Sequence, residues 1–344
     1  MNSTRALTAS PRQIATIWRW ATGSVPAAGA GRFLQGAGGA FSIVGAVYIA
    51  IKSFPASRAG TLIGATQMFG MAGGFAGQSL VGPAMARGLP WATFWIVAGC
   101  CGPVIAVILF AMLPRTPPAH QSAGWVKEAA HSLATVFRNP QSILCGMISG
   151  LMFIPTTIFG LVWGVRYLQE AHAFDYGEAV MRSSTVPLGW IIGCPLMGFI
   201  SDRIGRRKPV ILAGAAVLFL CLAWILFGPP DLLPPYVLGL IAGVSSGAAM
   251  LPYSVIKEAN PPELGGTSTG VINFLNFTFS ALLAPAFSVL MTHATGGESE
   301  RGLPHYQATF GPMLIGVALA MLLTLLLRET GPAARRQVPI PAPS

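Results

Sequence analysis

Charge is scarce in this sequence: Asp, Glu, Lys and Arg make up 9% of its 344 residues, against roughly 25% in an ordinary soluble domain. Twenty-one basic and eleven acidic side chains cannot coat a water-soluble fold of this length, so such a fold is excluded. Cysteine pairs are missing too. Cys100, Cys101, Cys145, Cys194 and Cys221 all lie in apolar stretches, without CxxC or metal-ligand spacing, which argues against a disulfide scaffold and gives no metal site and no cofactor. No uninterrupted apolar h-region opens the chain, because Arg5, Pro11, Arg12 and Arg19 interrupt residues 1–21. A cleaved secretory signal is therefore not expected, and insertion falls to the first true span. An HExxH motif and clusters of intramembrane His, Asp or Cys are likewise lacking, which speaks against a membrane-embedded enzyme.

What the sequence has is apolar length. Hydrophobic residues make up 53% and the mean hydropathy is +0.62. The net charge of +10 does not line one face. Basic residues sit between apolar runs, so the partner to expect is a lipid bilayer and not nucleic acid. Crossing a bilayer by helix takes about 20 mostly apolar residues. Nine stretches qualify, at 22–51, 60–82, 91–113, 141–168, 179–200, 209–228, 235–256, 266–291 and 310–327. The expected fold class is thus an all-α polytopic membrane protein. The long connector, 114–140, contains Trp125 to Phe137, whose helical apolar spacing suits the membrane surface. It separates three spans (22–113) from six (141–328), with an atypical segment at 1–21 and a tail at 329–344.

Cytoplasmic loops carry an excess of Lys and Arg. With the C-terminus inside, the inner set holds Lys52, Arg58, Arg115, Lys127, Arg138, Arg203, Arg206, Arg207, Lys208, Lys257, Arg328, Arg335 and Arg336. The outer set holds only Arg87, Arg166, Arg182 and Arg301. The C-terminus is therefore expected to be cytoplasmic, in what reads as a bacterial inner membrane.

Between the fifth and sixth spans runs Gly198-Phe199-Ile200-Ser201-Asp202-Arg203-Ile204-Gly205-Arg206-Arg207-Lys208, which resembles the G-x-x-x-D-R-x-G-R-[RK]-[RK] signature of the major facilitator superfamily. Glycine allows close helix approach. Asp202 suits the positive N-terminal end of a neighbouring helix, and the Arg203, Arg206 and Arg207 cluster suits the anionic inner surface. The resemblance implies a cytoplasmic gate built from Gly198, Asp202, Arg203, Gly205, Arg206 and Arg207. Family symmetry places Asp202 at the N-terminal turn of the second span, near Gly60 and Thr61. In the first span, Arg32-Phe33-Leu34-Gln35-Gly36-Ala37-Gly38 is similar to the R-x-x-x-G-x-G pattern of the family's fourth helix.

Transporters of this kind are built from repeated halves. Phe54-Pro55-Ala56-Ser57-Arg58-Ala59-Gly60-Thr61-Leu62-Ile63-Gly64 aligns without a gap to Asn260-Pro261-Pro262-Glu263-Leu264-Gly265-Gly266-Thr267-Ser268-Thr269-Gly270, an offset of 206 that carries Pro55 onto Pro261. The same offset places the start of the first half roughly 65 residues upstream of Met1. The expectation is a partial fold of this family, resembling its last nine helices and truncated at the N-terminus.

By resemblance, a complete member is a secondary-active transporter that moves a small solute by alternating access about a site near the bilayer midplane. On the spans expected to line it, the candidates are Arg32, Gln35, Tyr48, Trp163, Arg166, Ser245, Ser246 and Tyr253. Asn273 and Asn276, three apart, share a helical face of the eighth span. Arg32 and Arg166 favour a carboxylate, amino acid or small peptide. A coupling ion, H+ or Na+, has no carboxylate or His in the middle of any span. Either its group lies on a missing helix or the complete carrier is not proton-driven. Gly70, Gly73, Gly74 and Gly77 suit close packing or a hinge. Pro155, Pro187, Pro195, Pro252 and Pro285 suit bends. The competing reading is a non-transporting membrane scaffold or sensor, or an inactive remnant. The oligomeric state is left open.

Overall fold

A computed structural model describes residues 58–112, 124–229, 236–297 and 300–331, Ala333, and scattered positions from Pro26 to Ala46. The first expected span lies largely outside the described residues. Everything regular among the described residues is helical: α1 (Ala59–Ala76, followed by a π turn Gly77–Val81), α2 (Gly82–Ala86), α3 (Trp91–Met112), α4 (Trp125–Arg138), α5 (Pro140–Ile154) and α6 (Gly164–His172) come first. Then follow α7 (Tyr176–Ile204), α8 (Lys208–Phe227), α9 (Val237–Ser246), α10 (Leu251–Glu258), α11 (Gly265–Ala294), α12 (Leu303–Phe310) and α13 (Pro312–Leu326). Among the described residues, six continuous helical stretches are long and apolar enough to cross a bilayer, at 140–172, 176–204, 208–227, 237–258, 262–294 and 303–326.

The chain forms two compact units. One comprises 1–42 and 82–123, and its α3 is apolar all round and runs unbroken through Pro103. Ile96, Val104, Val107 and Phe110 are exposed on it, as suits a helix surrounded by lipid or protein.

The other unit comprises 43–81 and 124–344. Here α4 is amphipathic: Val136 is fully buried, Phe137 meets Phe274 edge-on, and Lys127 and His131 face out. Small residues let the long helices touch backbone to backbone. A Cβ on Gly189 or Gly193 of α7 would fall within 2.4 Å of α9 carbonyls, and Gly146 and Gly150 of α5 receive Leu275 and Phe279 of α11. Such contacts hold helices together where burial from lipid supplies little drive. Asn139 caps α5 by accepting from the Gln141 N–H. It also donates to the Ala259 carbonyl, fixing the end of α10 beside the start of α5.

The prolines act where they remove backbone donors. Pro155 opens a nine-residue π stretch, Pro155–Trp163, between α5 and α6. A short 3-10 turn, Gly247–Met250, separates α9 from α10, with Pro252 in the first turn of α10. Pro187 and Pro195 lie inside α7, and Pro285 inside α11. The last span starts earlier than 310, because Leu303–Phe310 is already helical and leads through Gly311 into α13.

Candidate functional site

The loop between α7 and α8 is set by its backbone. Gly205 ends α7 in the left-handed conformation, φ 71°, where a Cβ would be strained. This turns the chain so that Arg206 points out while Arg207 points in. Arg203 and Arg206 are exposed, as expected for a loop at an anionic surface, but Arg207 is not. Its side chain is wholly buried, so the expectation that all three arginines sit at the lipid surface is corrected.

Arg207 uses the planar fork of its guanidinium to hold two carboxylates. Its Nη1 donates to Asp202 Oδ1 at 2.5 Å and to Ser201 Oγ at 3.0 Å. Its Nη2 donates to Glu258 Oε1 at 2.8 Å, and its Nε to Glu258 Oε2 at 3.4 Å. Burial opposes the charge on Arg207, but the hydrogen bonds and charges of Glu258 and then Asp202 outweigh it, holding the guanidinium pKa above its ordinary value.

The second oxygen of Asp202 serves another helix. Oδ2 accepts from the Thr61 backbone N–H at 2.9 Å and from Thr61 Oγ1 at 2.8 Å. The residue preceding α1, Arg58, offers no side-chain cap. Asp202, 141 positions away, therefore meets an N-terminal donor and the positive end of the helix dipole. Three residues on, Gly64 touches α7 so closely that a Cβ there would lie 2.2 Å from the Cys194 carbonyl oxygen. The glycines singled out from sequence do not make this contact. Among the described residues, Gly70, Gly73 and Gly77 meet no atom within 4 Å and Gly74 meets only Leu161.

The chain after α13 closes over the same loop. Glu329 accepts from the Arg207 N–H at 2.6 Å and the Lys208 N–H at 3.3 Å, and pairs with Arg206 at 3.7 Å. Thr330 Oγ1 donates to Glu258 Oε2 at 2.7 Å, and the Ala333 N–H to the Gly205 carbonyl at 3.0 Å. Sequence reasoning missed Glu258 and Glu329 as partners. The available signal was that few acids exist here, and these two flank spans at the end that carries the basic cluster.

At the other end of the same helix pair, Gln78 of the π turn donates to Ser183 Oγ of α7 at 2.8 Å and to the Gly160 carbonyl at 3.4 Å. Ser183 Oγ also donates to the Gly160 carbonyl at 2.9 Å. Thus α1 is tied to α7 at Thr61, pressed on it at Gly64 and tied again at Gln78.

Of the candidates for a solute cavity, Arg32, Gln35 and Tyr48 lie outside the described residues. Tyr253, Asn273 and Asn276 come together. Tyr253 OH donates to Asn273 Oδ1 at 3.2 Å and accepts from Asn276 Nδ2 at 3.4 Å, with Tyr253 and Asn276 each 1% exposed. Ser245 is buried, with its hydroxyl donated back to the Ile241 and Ala242 carbonyls. Its neighbour Ser246 joins Thr156, which accepts from Trp190 Nε1 at 2.8 Å. Trp163 packs edge-on against Phe310 and Tyr306, with the Arg301 guanidinium 5.7 Å from its ring centre. Arg166 is exposed.

Comparison with known proteins identifies the family. The family model described as Major Facilitator Superfamily matches residues 6–285. The sialic acid transporter NanX of Escherichia coli (strain K12) is 26% identical over 233 residues, covering 65% of this chain and 53% of its own length. The arabinose-proton symporter of Bacillus subtilis (strain 168) is 32% identical over 152 residues, 43% of this chain and 31% of its own length. A probable 4-methylmuconolactone transporter of Cupriavidus pinatubonensis is 25% identical over 306 residues, 87% of this chain and 68% of its own length. The chain thus spans 53% of the first of these relatives and 31% of the second.

Proposed function

Because the chain belongs to the Major Facilitator Superfamily, we propose that it is a secondary-active transporter that moves a small solute across a membrane by alternating access. The observation that carries this reading is the double use of Asp202, which binds Thr61 of α1 with one oxygen and Arg207 with the other. Such a group can hold two helices shut and release them together. The excess of Lys and Arg at this end of the spans supports a cytoplasmic latch, with the C-terminus inside. A bacterial inner membrane is the proposed location.

In this reading residues 22–113 contribute spans of the first half and 141–328 the second half, joined by 114–140. Tyr253, Asn273 and Asn276 line the solute path. The names of the sialic acid and arabinose-proton relatives support a small polar or acidic solute and a coupling proton. The test is uptake of a panel of labelled sugars and organic acids into proteoliposomes under an imposed pH gradient. Uptake above that of empty liposomes supports transport. Purified, folded protein that moves no member of the panel speaks for a scaffold instead.

A further inference from the structure

A lysine lies where the sequence offered only a loop charge. Lys257, in the last turn of α10, was counted with the inner basic set. Its Nζ is instead buried and, among the described residues, has no hydrogen-bond partner and no ion pair. The adjacent carboxylate does not serve it, since Glu258 is taken by Arg207 and Thr330. A buried amine left without a partner is costly, and an ionisable group inside a membrane helix is a candidate functional site.

The surroundings have open valences as well. Lys257 follows Tyr253 by four residues and so shares its face of α10. Tyr253 meets Asn273 and Asn276 of α11, and Ser280, four residues beyond Asn276, continues that face. Among the described residues, Asn276 Oδ1, Ser280 Oγ and Ser254 Oγ are all buried without partners. α10 and α11 therefore carry one buried lysine amine at the inner end and a row of neutral polar atoms leading away from it.

We propose that this seam is the solute site and that Lys257 binds the carboxylate of a small organic anion, whose hydroxyl or carbonyl groups meet Tyr253 and Asn276. One turn of α10, about 6 Å, separates Tyr253 from Lys257, so the solute is a hydroxy or oxo acid of roughly three to six carbons. Lys257 takes the role that Arg166 was expected to fill, since Arg166 is exposed. The proposal rests on the transport reading above. It also sets the lysine beside the latch: α10 ends at Glu258, which Arg207 holds next to Lys257.

The test is solute-dependent melting of the purified full chain with glycerate and gluconate, each against its neutral counterpart, glycerol or sorbitol. The acids should raise the melting temperature of the wild type and the polyols should not. In Lys257→Met the concentration of acid needed should rise at least about tenfold, while Lys257→Arg should keep it within about threefold. Without solute, Lys257→Met should melt no lower than the wild type, because it removes a buried group that has no partner among the described residues. Acid binding that is equal in Lys257→Met, or a response to the polyols alone, overturns the proposal and leaves transport standing. No response to either class, together with failed uptake of the wider panel, removes both.

Discussion

One oxygen of Asp202 accepts two hydrogen bonds from a single residue, Thr61, at 2.9 Å from its backbone nitrogen and 2.8 Å from its hydroxyl. The other oxygen is held by Arg207. Replacing Asp202 with Asn keeps an acceptor for Thr61 but removes the charge that Arg207 and the helix end both use. A charged hydrogen bond is worth about 1.5 kcal/mol or more, so the ratio of closed to open inner side should fall about tenfold. Uptake per molecule of reconstituted Asp202→Asn should drop by a similar factor while expression changes less. Unchanged uptake kinetics would remove the latch role.

Arg207 is the buried cation on which both carboxylates depend. Arg207→Ala leaves Asp202 and Glu258 close together without their shared partner, and removing one member of a buried pair costs about 3–5 kcal/mol. Arg207→Lys has no fork to span the two acids and should recover only part of this. Melting temperature in detergent reads both variants. A loss below about 0.5 kcal/mol in Arg207→Ala would show that the network is incidental.

Gly64→Ala tests the backbone contact between α1 and α7. Its methyl would lie 2.2 Å from the Cys194 carbonyl, so the helices must part. Overpacking of this kind costs about 1–3 kcal/mol, and the Thr61 hydrogen bonds one turn away should weaken with it. Gly70→Ala, which meets nothing within 4 Å among the described residues, is the matched control. Equal melting of the two variants would contradict the close approach.

At the far end of the pair, Gln78→Leu and Ser183→Ala each remove the side-chain tie between α1 and α7. Each should cost about 0.5–1.5 kcal/mol. Because the two residues share one hydrogen bond, the double variant should cost less than the sum by at least about 0.5 kcal/mol. Additive losses would mean that the two act separately.

The six spans from 140 onward and the loop at 198–208 were legible because they are local: an apolar run and a fixed spacing of Gly, Asp and Arg need no knowledge of the rest of the chain. The Thr61 contact was reachable only through family symmetry, as it joins residues 141 apart. Glu258 and Glu329 were not legible. As isolated acids at span ends they look like any solvated loop charge until the fold brings them to Arg207. Gly64 was hidden among 41 glycines, since the need for a missing Cβ depends on where α7 passes. Lys257 was hidden by the rule that explains its neighbours: inside-positive charge predicts a lysine there whether it faces water or the bundle. The π stretch after Pro155 shifts the face of each following residue, which periodicity alone does not register.

The most direct test of a latch that closes the inner side is the distance between spin labels at Arg58→Cys and Arg203→Cys, two exposed positions flanking the Thr61–Asp202 contact, with the native cysteines replaced. The account predicts one narrow short-distance population when Asp202 is intact, and a second, longer population when Asp202→Asn is added. A distribution that Asp202→Asn leaves unchanged would contradict it.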